Sequence, residues 1–336
     1  MGATYKVIDP ADFADSFSET HEFALDILVG LSEFRKSIAS KYLYDAEGSR
    51  LFTEITRLPE YYLTGCELEI LQAQAAAIVR HVQGAPFNLV ELGAGDGQKT
   101  SVLIEHFLGE SLDFQYVPID ISESAMRELT GHLGERFPAL DTHGIVSEYF
   151  NGFKWLNHRH SRRNFVLLLG SNIGNFTHAE ARFFLRNLWN VLNPGDRLLL
   201  GFDLKKDIEL LLDAYNDPAG VTSAFNLNVL TRINRELGGE FDTAKFRHFG
   251  TYDVFSGAME SYLVSLERQS VFIGAIGRAF SFNPWEPIHT EYSYKYLVSD
   301  IEKLASETGF TVREHLFDSR RYFADSIWEV NKPGVA

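Results

Sequence analysis

The 336-residue chain has little cysteine: Cys66 is its single example. One thiol can form neither an intrachain disulfide nor a cluster of thiolate metal ligands. The 11 histidines also lack the H-x-x-x-H and H-E-x-x-H spacings typical of zinc sites. These absences predict a reducing compartment, which we take to be the cytoplasm, and no metal site.

Long apolar runs and an excess of positive charge are lacking as well. No stretch approaches the roughly 20 apolar residues of a membrane span, and the beginning, MGATYKVIDP, has no basic segment followed by an apolar run. Lys and Arg number 31 against 46 Asp and Glu, a net charge of −15 that argues against nucleic acid or anionic membranes as partners. The same charge balance is common among cytosolic enzymes, and we expect a monomer.

Strand and helix patterns alternate from about residue 67 to residue 203, beginning with a predicted helix over 67–81. The apolar runs FNLVEL, FQYVPID and NFVLLL are typical of strands buried on both faces, so the pattern predicts a doubly wound, mostly parallel α/β sheet. The alternation breaks near residue 204, where two helical segments precede AMESYLVSLERQ and VFIGAIGRAFSF, predicted to pair with each other. We expect a Rossmann-like domain over 63–203 and 293–336, and an interleaved α+β lobe over 1–62 and 204–292.

A glycine-rich loop follows the first of these buried strands. Its spacing, E-x-G-x-G-x-G from Glu91 to Gly97, is neither the dinucleotide fingerprint nor a phosphate-binding P-loop, and it favours S-adenosylmethionine over NAD or ATP. The next strand ends at Asp120, where a carboxylate can accept the hydroxyls of a ribose. Such loops also occur without a ligand, and an Asp in this place often only caps a helix.

Several further segments carry a resemblance to a known family. KYLYDAEGSRLFTEITRLPEYYLTGCELEIL, VELGAGDGQKT, YVPIDIS, LLLGSNIGNF, DAYNDPAGVTSAFN and HTEYSYKY occur in order across roughly residues 31 to 330. Together they resemble the histidine-specific Nα-methyltransferases, which make hercynine on the route to ergothioneine. The resemblance implies a class I methyltransferase core, a substrate lobe built from the N-terminal segment and the insertion, and S-adenosylmethionine as the methyl donor.

The resemblance and the glycine loop together predict the residues of the site. The predicted cofactor contacts are Tyr44, Gly93, Gly95, Lys99, Asp120, Glu148 and Tyr149. The predicted amino-acid contacts are Phe52, Tyr61, Gly170, Asn175, Tyr215, Ser261, Glu291 and Ser293. We expect Tyr44 and Asn175 to be catalytic. The family more often has Asp-Phe at the positions of Glu148 and Tyr149.

The chemistry of these residues suits methylation of an α-amine. Methyl transfer depends mainly on alignment and dehydration, which phenols and an amide provide without a competing negative charge beside the sulfonium. Asn175 has donor and acceptor atoms for both amine and carboxylate. Glu291 and Ser293 lie two residues apart on one side of a strand and can bind the two ring nitrogens of an imidazole.

One departure from the family concerns the substrate. The family usually has Met where this chain has Ser261, in Glu260-Ser261-Tyr262-Leu263-Val264-Ser265. A smaller residue enlarges the imidazole pocket or admits water. The resemblance implies trimethylation of L-histidine to hercynine as the reaction. Because of Ser261, methylation of another amino acid, such as a tryptophan derivative, is the alternative. A non-catalytic sensor of an amino acid or nucleoside is the hypothesis from a different class.

Overall fold

The computed structural model describes residues 4–7, 19–147, 149–157 and 162–332. Within these ranges the strands are β1 (Thr4–Val7), β2 (Phe87–Leu92), β3 (Phe114–Asp120), β4 (His143–Val146), β5 (Arg163–Leu168), β6 (Arg197–Asp203), β7 (Phe246–Asp253), β8 (Ala258–Ser265), β9 (Gln269–Ile273), β10 (Arg278–Phe282), β11 (Pro287–Tyr294), β12 (Phe310–Phe317) and β13 (Phe323–Val330).

The α-helices in the same ranges are α1 (Glu19–Ser32), α2 (Ala46–Ile55), α3 (Tyr62–Ala73), α4 (Ala75–Val82), α5 (Gln98–Gly109), α6 (Glu123–Arg136), α7 (Tyr149–Asn157), α8 (His178–Val191), α9 (Ile208–Tyr215), α10 (Val221–Leu237) and α11 (Val298–Thr308). Three-residue-per-turn helices cover Ser40–Leu43, Asn172–Asn175 and Thr243–Lys245. No helix in the described part of the chain is both long and apolar enough to cross a membrane.

The chain forms two compact units. The first consists of the described parts of Met1–Asp9, Leu63–Lys205 and Lys295–Ala336, and the second of the described parts of Pro10–Tyr62 and Lys206–Tyr294. The predicted division after residue 292 falls two residues early, because β11 stays paired with β8 through Tyr294. The assignment of all of 1–62 to the second lobe is wrong for 4–7, because β1 pairs with β4 of the first unit.

The described part of the first unit contains an eight-stranded sheet in the order β1-β4-β3-β2-β5-β6-β13-β12. The strands from β1 to β6 in this order run parallel to one another. β13 pairs antiparallel with β6, and β12 pairs antiparallel with β13. Each residue of β2 is buried, as expected for a central strand covered on both faces. The predicted doubly wound sheet is confirmed. The chain order reverses between β2 and β5, and the loops after these strands lie at the edge where open α/β sheets bind ligands.

The second unit is an α+β assembly with a three-stranded antiparallel sheet, β11-β8-β7, and a separate hairpin of β9 and β10. Its helices and sheets enclose one apolar core, in which Ile27, Leu43, Val229, Leu263 and Ile288 are fully buried. The helix α10, at its centre, begins after Gly220 and ends before Gly238, both in the left-handed conformation that favours glycine. This unit interrupts the first one in sequence, so the predicted interleaved lobe is confirmed.

Two predictions of local structure are wrong. The segment VFIGAIGRAFSF does not pair with AMESYLVS; it folds on itself as β9 and β10, because Gly277 takes φ +64° in the turn between them. The helix predicted over 67–81 is two helices, α3 and α4, separated at Gln74.

Candidate functional site

The glycine loop connects the buried strand β2 to the helix α5. Gly93 has φ +74°, and a Cβ atom there would lie 2.8 Å from the Tyr149 hydroxyl oxygen and 3.3 Å from Asn172 Nδ2. An L side chain would be strained in this conformation and would collide with its neighbours. Glycine at this position therefore lets the Tyr149 hydroxyl and the Asn172 amide approach the loop, and the Tyr149 ring packs edge-on against Phe184. A Cβ atom at Gly95, by contrast, would meet nothing within 4 Å, so the space beside Gly95 is open.

Asp120 ends β3 beside the glycine loop. Its Oδ1 accepts a 2.9 Å hydrogen bond from Ser122 N–H and its Oδ2 a 3.5 Å one from Gly95 N–H. Burial raises the pKa of the carboxyl group, and the backbone donors oppose that rise. The helix cap of α6 is the Ser122 side chain, which accepts from Ala125 N–H. Asp120 is thus not the capping residue, and its carboxylate can accept ribose hydroxyls. The predicted contact Glu148 lies outside the described residues.

Glu91, the acid at the head of the glycine motif, lies inside the core rather than in the loop. It is 3% exposed and accepts hydrogen bonds from Thr100 Oγ1 at 2.5 Å and from the Tyr116 hydroxyl. Burial raises its pKa to about 7, although both hydroxyl donors and the charge of Lys99 lower it. The Glu91 carboxyl group therefore connects β2 to α5 and β3 within the core and does not face a ligand.

This raised pKa predicts a pH dependence of stability. The carboxyl group binds its proton more tightly in the folded state than in the unfolded chain, so stability falls as the pH rises from about 4.5 through about 7. We expect Glu91→Gln to gain roughly 2–3 kcal/mol of stability relative to the wild type between about pH 5 and about pH 8. Urea unfolding over this range measures the difference. Glu105→Gln, an exposed site on α5, is the control, and equal pH profiles for wild type and Glu91→Gln would refute the assignment.

The loop after β5 holds two of the predicted amino-acid contacts, Gly170 and Asn175. Gly170 has φ +74°, and the next residue, Ser171, also has a positive φ of 58°. The Ser171 hydroxyl oxygen accepts a 2.9 Å hydrogen bond from Asp203 N–H at the end of β6. Asn175 is half-buried and ends the helix Asn172–Asn175. The strained turn is thereby held in one conformation and presents Asn175 at the carboxyl ends of the parallel strands.

Lys99, a predicted cofactor contact on α5, lies at this same loop. Its Nζ is 2.5 Å from Glu67 Oε2, and a Cβ atom at Gly170 would be 3.2 Å from that Nζ. The Glu67 carboxylate also accepts from Gly170 N–H at 2.8 and 2.9 Å. The structure thus brings Lys99 and Gly170 together, through a residue that the sequence did not single out.

A cluster of aromatic rings in the second unit contains four further predicted residues. Tyr44 packs edge-on against Phe52 with ring centroids 5.5 Å apart. Phe52 contacts Tyr61 at 6.3 Å, and Tyr61 contacts Tyr215 at 6.5 Å. Phe225 of α10 packs against both Tyr44 and Phe52. The first three rings are half-buried, so this aromatic cluster presents a partly exposed surface of phenols and one phenyl ring.

The sheet of the second unit carries the remaining predicted residues next to this aromatic cluster. The Tyr215 hydroxyl donates a 2.6 Å hydrogen bond to Ser293 Oγ. Ser293 lies opposite Met259, and Glu291 lies opposite Ser261, across the paired strands β11 and β8. Directly opposed residues of antiparallel strands point to the same face. Ser261, Glu291 and Ser293 therefore share one face of the sheet with the Tyr215 hydroxyl.

The predicted residues thus form one set in each unit. Those at the carboxyl edge of the first unit's sheet are Gly93, Gly95, Lys99, Asp120, Tyr149, Gly170 and Asn175. Those in the second unit are Tyr44, Phe52, Tyr61, Tyr215, Ser261, Glu291 and Ser293. Sequence reasoning missed Glu67, whose only signal is a charge within the apolar run CELEIL. The described residues contain no group of three or more acidic, His or Cys side chains able to hold a metal ion.

The first set fits the cofactor expected from the sequence. The open space at Gly95 suits a ligand that contacts the loop backbone, the Asp120 carboxylate suits a ribose diol, and the Lys99 ammonium suits a carboxylate. S-adenosylmethionine has a ribose and a carboxylate. The donors and acceptors present therefore match this group.

Comparison with known proteins gives the family. Residues 23–330 match the family described as histidine-specific methyltransferase, SAM-dependent. The chain is 37% identical over 296 residues to a histidine N-alpha-methyltransferase of Mycolicibacterium smegmatis, covering 88% of this chain and 90% of that protein. For the enzyme of the same name from Mycobacterium tuberculosis the values are 38% over 271 residues, 81% and 83%.

A fungal relative is similar over part of its length. Ergothioneine biosynthesis protein 1 of Schizosaccharomyces pombe is 31% identical over 300 residues, which cover 85% of this chain and 39% of that protein. The chain belongs to the histidine-specific, S-adenosylmethionine-dependent methyltransferases.

Proposed function

We propose that the chain transfers methyl groups from S-adenosylmethionine to the α-nitrogen of L-histidine, three times in succession, and so makes hercynine for ergothioneine biosynthesis. The observation that carries the proposal is the family match across residues 23–330. The relatives named for histidine methylation and for ergothioneine biosynthesis support the same substrate and product. We further propose that the enzyme acts in the cytoplasm as a monomer.

In this proposal the first unit binds the cofactor. Asp120 accepts the ribose hydroxyls, Gly93 and Gly95 let the ligand approach the loop, and Lys99 pairs with the carboxylate. Tyr149 contacts the adenine. When bound, S-adenosylmethionine supplies a methyl group on a positively charged sulfur.

The amino acid is held at both of its ends. Asn175 binds the α-amine and the carboxylate, since its amide has donor and acceptor atoms. In the second unit, Tyr44, Tyr61 and Tyr215 bind the amino acid through phenol groups, which carry no negative charge. Phe52 and Gly170 complete the surroundings of the amino acid.

The imidazole is recognised by the sheet of the second unit. Glu291 accepts one ring N–H, and Ser293 pairs with the other ring nitrogen, its hydroxyl fixed by the 2.6 Å hydrogen bond from Tyr215. An apolar side chain would leave the Glu291 carboxylate without this partner, at a cost of about 1–3 kcal/mol. An indole has a ring N–H but no second ring nitrogen for Ser293. The arrangement therefore favours histidine.

A turnover screen over the twenty amino acids, with mass detection of products, tests the proposal. We expect trimethylhistidine as the end product and one S-adenosylhomocysteine for each methyl group transferred. An end product with a single methyl group would refute trimethylation. Tight binding of both ligands without turnover would instead support a sensor.

The small side chain of Ser261 is expected to lower the preference of the enzyme for histidine over tryptophan. It is 2% exposed on β8 and lies opposite Glu291. We expect Ser261→Met to fill the space beside the imidazole and to raise the preference for histidine over tryptophan roughly tenfold, measured as the ratio of kcat/KM values. Ser261→Ala, which removes the hydroxyl without adding volume, is the control. An unchanged ratio with a lower melting temperature would show that Met has no space there.

A further inference from the structure

A buried charge cluster in the first unit consists of Glu67, Lys99 and Asp325, with Gly201 making room for it. Glu67 and Asp325 are both fully buried. Asp325 is paired with Gly201 across β13 and β6. A Cβ atom at Gly201 would collide with Glu67 Oε1, so glycine in the middle of this buried strand makes space for the carboxylate. The Glu67 carboxyl group therefore lies over the sheet next to Asp325.

The Glu67 carboxylate joins two parts of the candidate site. It accepts Gly170 N–H from the loop after β5, and it pairs with Lys99 Nζ from α5 at 2.5 Å. Lys99 has a 21% exposed side chain, whereas that of Glu67 is 0% exposed. The ammonium group thus reaches the open edge of the sheet while its partner stays in the core. A buried carboxylate with several donors holds each of them in a narrow range of orientations.

The protonation of Asp325 follows from its surroundings. Neither of its carboxyl oxygens accepts a hydrogen bond from a described donor. Burial and the neighbouring charge of Glu67 raise the pKa of Asp325 well above its usual range. A protonated Asp325 can donate to Glu67, which removes the repulsion between two buried carboxylates and leaves Glu67 charged for Lys99.

We propose that Glu67 is a positioning residue of the methyl-transfer site, which orients the Lys99 ammonium toward the cofactor while Asp325 donates a hydrogen bond to Glu67. The inference rests on the proposed function, because it takes Lys99 as the partner of the cofactor carboxylate. Glu67 itself touches neither cofactor nor substrate.

Binding of S-adenosylhomocysteine by calorimetry tests this role apart from turnover. In Glu67→Gln the amide oxygen still accepts Gly170 N–H, but Lys99 loses its charged partner. We expect roughly tenfold weaker binding and a higher KM for S-adenosylmethionine, with the KM for histidine unchanged. Asp325→Asn keeps a donor toward Glu67 and should bind as the wild type does. The control is Asp196→Asn, a buried carboxylate that accepts from Asn164 and Asn193 N–H instead.

Wild-type affinity in Glu67→Gln, or an equal loss in Asp196→Asn, would overturn the positioning role. If Glu67→Gln does not fold, the neutral pair Glu67→Gln with Lys99→Gln replaces it. That pair should bind as weakly as Lys99→Gln alone, and a further tenfold loss would contradict action through Lys99. A wild-type chain that binds S-adenosylhomocysteine but methylates no histidine would refute the proposed function and leave the binding test valid.

Discussion

Replacing Glu291 by alanine is expected to lower kcat/KM for L-histidine by roughly 10²-fold, since a hydrogen bond to a charged group contributes about 1.5–3 kcal/mol. Glu291 lies opposite Ser261 on the face of the sheet that also carries Ser293 and the Tyr215 hydroxyl. Its removal takes away the one carboxylate proposed to meet the imidazole. The loss should be much smaller for tryptophan, because its indole stays uncharged and lacks the second ring nitrogen that would place its N–H against Glu291. Parallel kinetics with both amino acids measure the difference.

The matched control for this experiment is Glu260→Ala. Glu260 lies on β8 next to Ser261, so its side chain points to the opposite face of the strand, where it accepts a hydrogen bond from the Tyr262 hydroxyl. The variant removes the same chemical group from the same sheet and should leave the preference for histidine intact. Equal losses in the two variants, or equal losses for histidine and tryptophan in Glu291→Ala, would contradict imidazole recognition by Glu291.

The parallel sheet was predictable because its strands carry a strong signal. FNLVEL, FQYVPID and NFVLLL are mostly apolar runs that end in an acidic residue or are followed by glycine. They correspond to β2, β3 and β5 in the structure. The strand β1 was missed because TYKV is short and contains a lysine. The hairpin of β9 and β10 is not evident from the sequence because GAIG lies inside an alternating, strand-like segment, whereas Gly277 turns the chain there.

The residues proposed to bind the ligands differ from the residues that support them in how much the sequence alone indicates. Motifs name residues such as Asp120 and Asn175 because ligand chemistry restricts their type. Supporting residues depend on distant parts of the chain: Glu67 contacts Lys99 and Gly170, and Gly201 is needed only because Glu67 lies over it. No local pattern in CELEIL or RLLLGFDL contains that information. It appears only once the strands are placed beside one another.

Lys295 and Asp203 form a second support of the same edge, and breaking it should cost more stability than any other single change discussed above. Both side chains are 0% exposed, and Nζ lies 2.8 Å from Oδ2. Removing one partner of a buried ion pair typically costs about 3–5 kcal/mol, because the remaining charge loses its counter-charge in a medium that solvates it poorly. We therefore expect Lys295→Met to lower the free energy of unfolding by about this amount, measured by chemical denaturation.

The double variant Lys295→Met with Asp203→Asn separates the charge effect from the loss of packing. It removes both charges, so it should be more stable than Lys295→Met alone, and additive losses in the two single variants would contradict a coupled pair. The same variants also test the candidate site, because Asp203 N–H donates a hydrogen bond to Ser171, which has a positive φ beside Gly170. If Asp203 shifts when its charge is unbalanced, Lys295→Met should also weaken histidine turnover. The double variant, in which the backbone of β6 returns to its place, should then recover turnover together with stability.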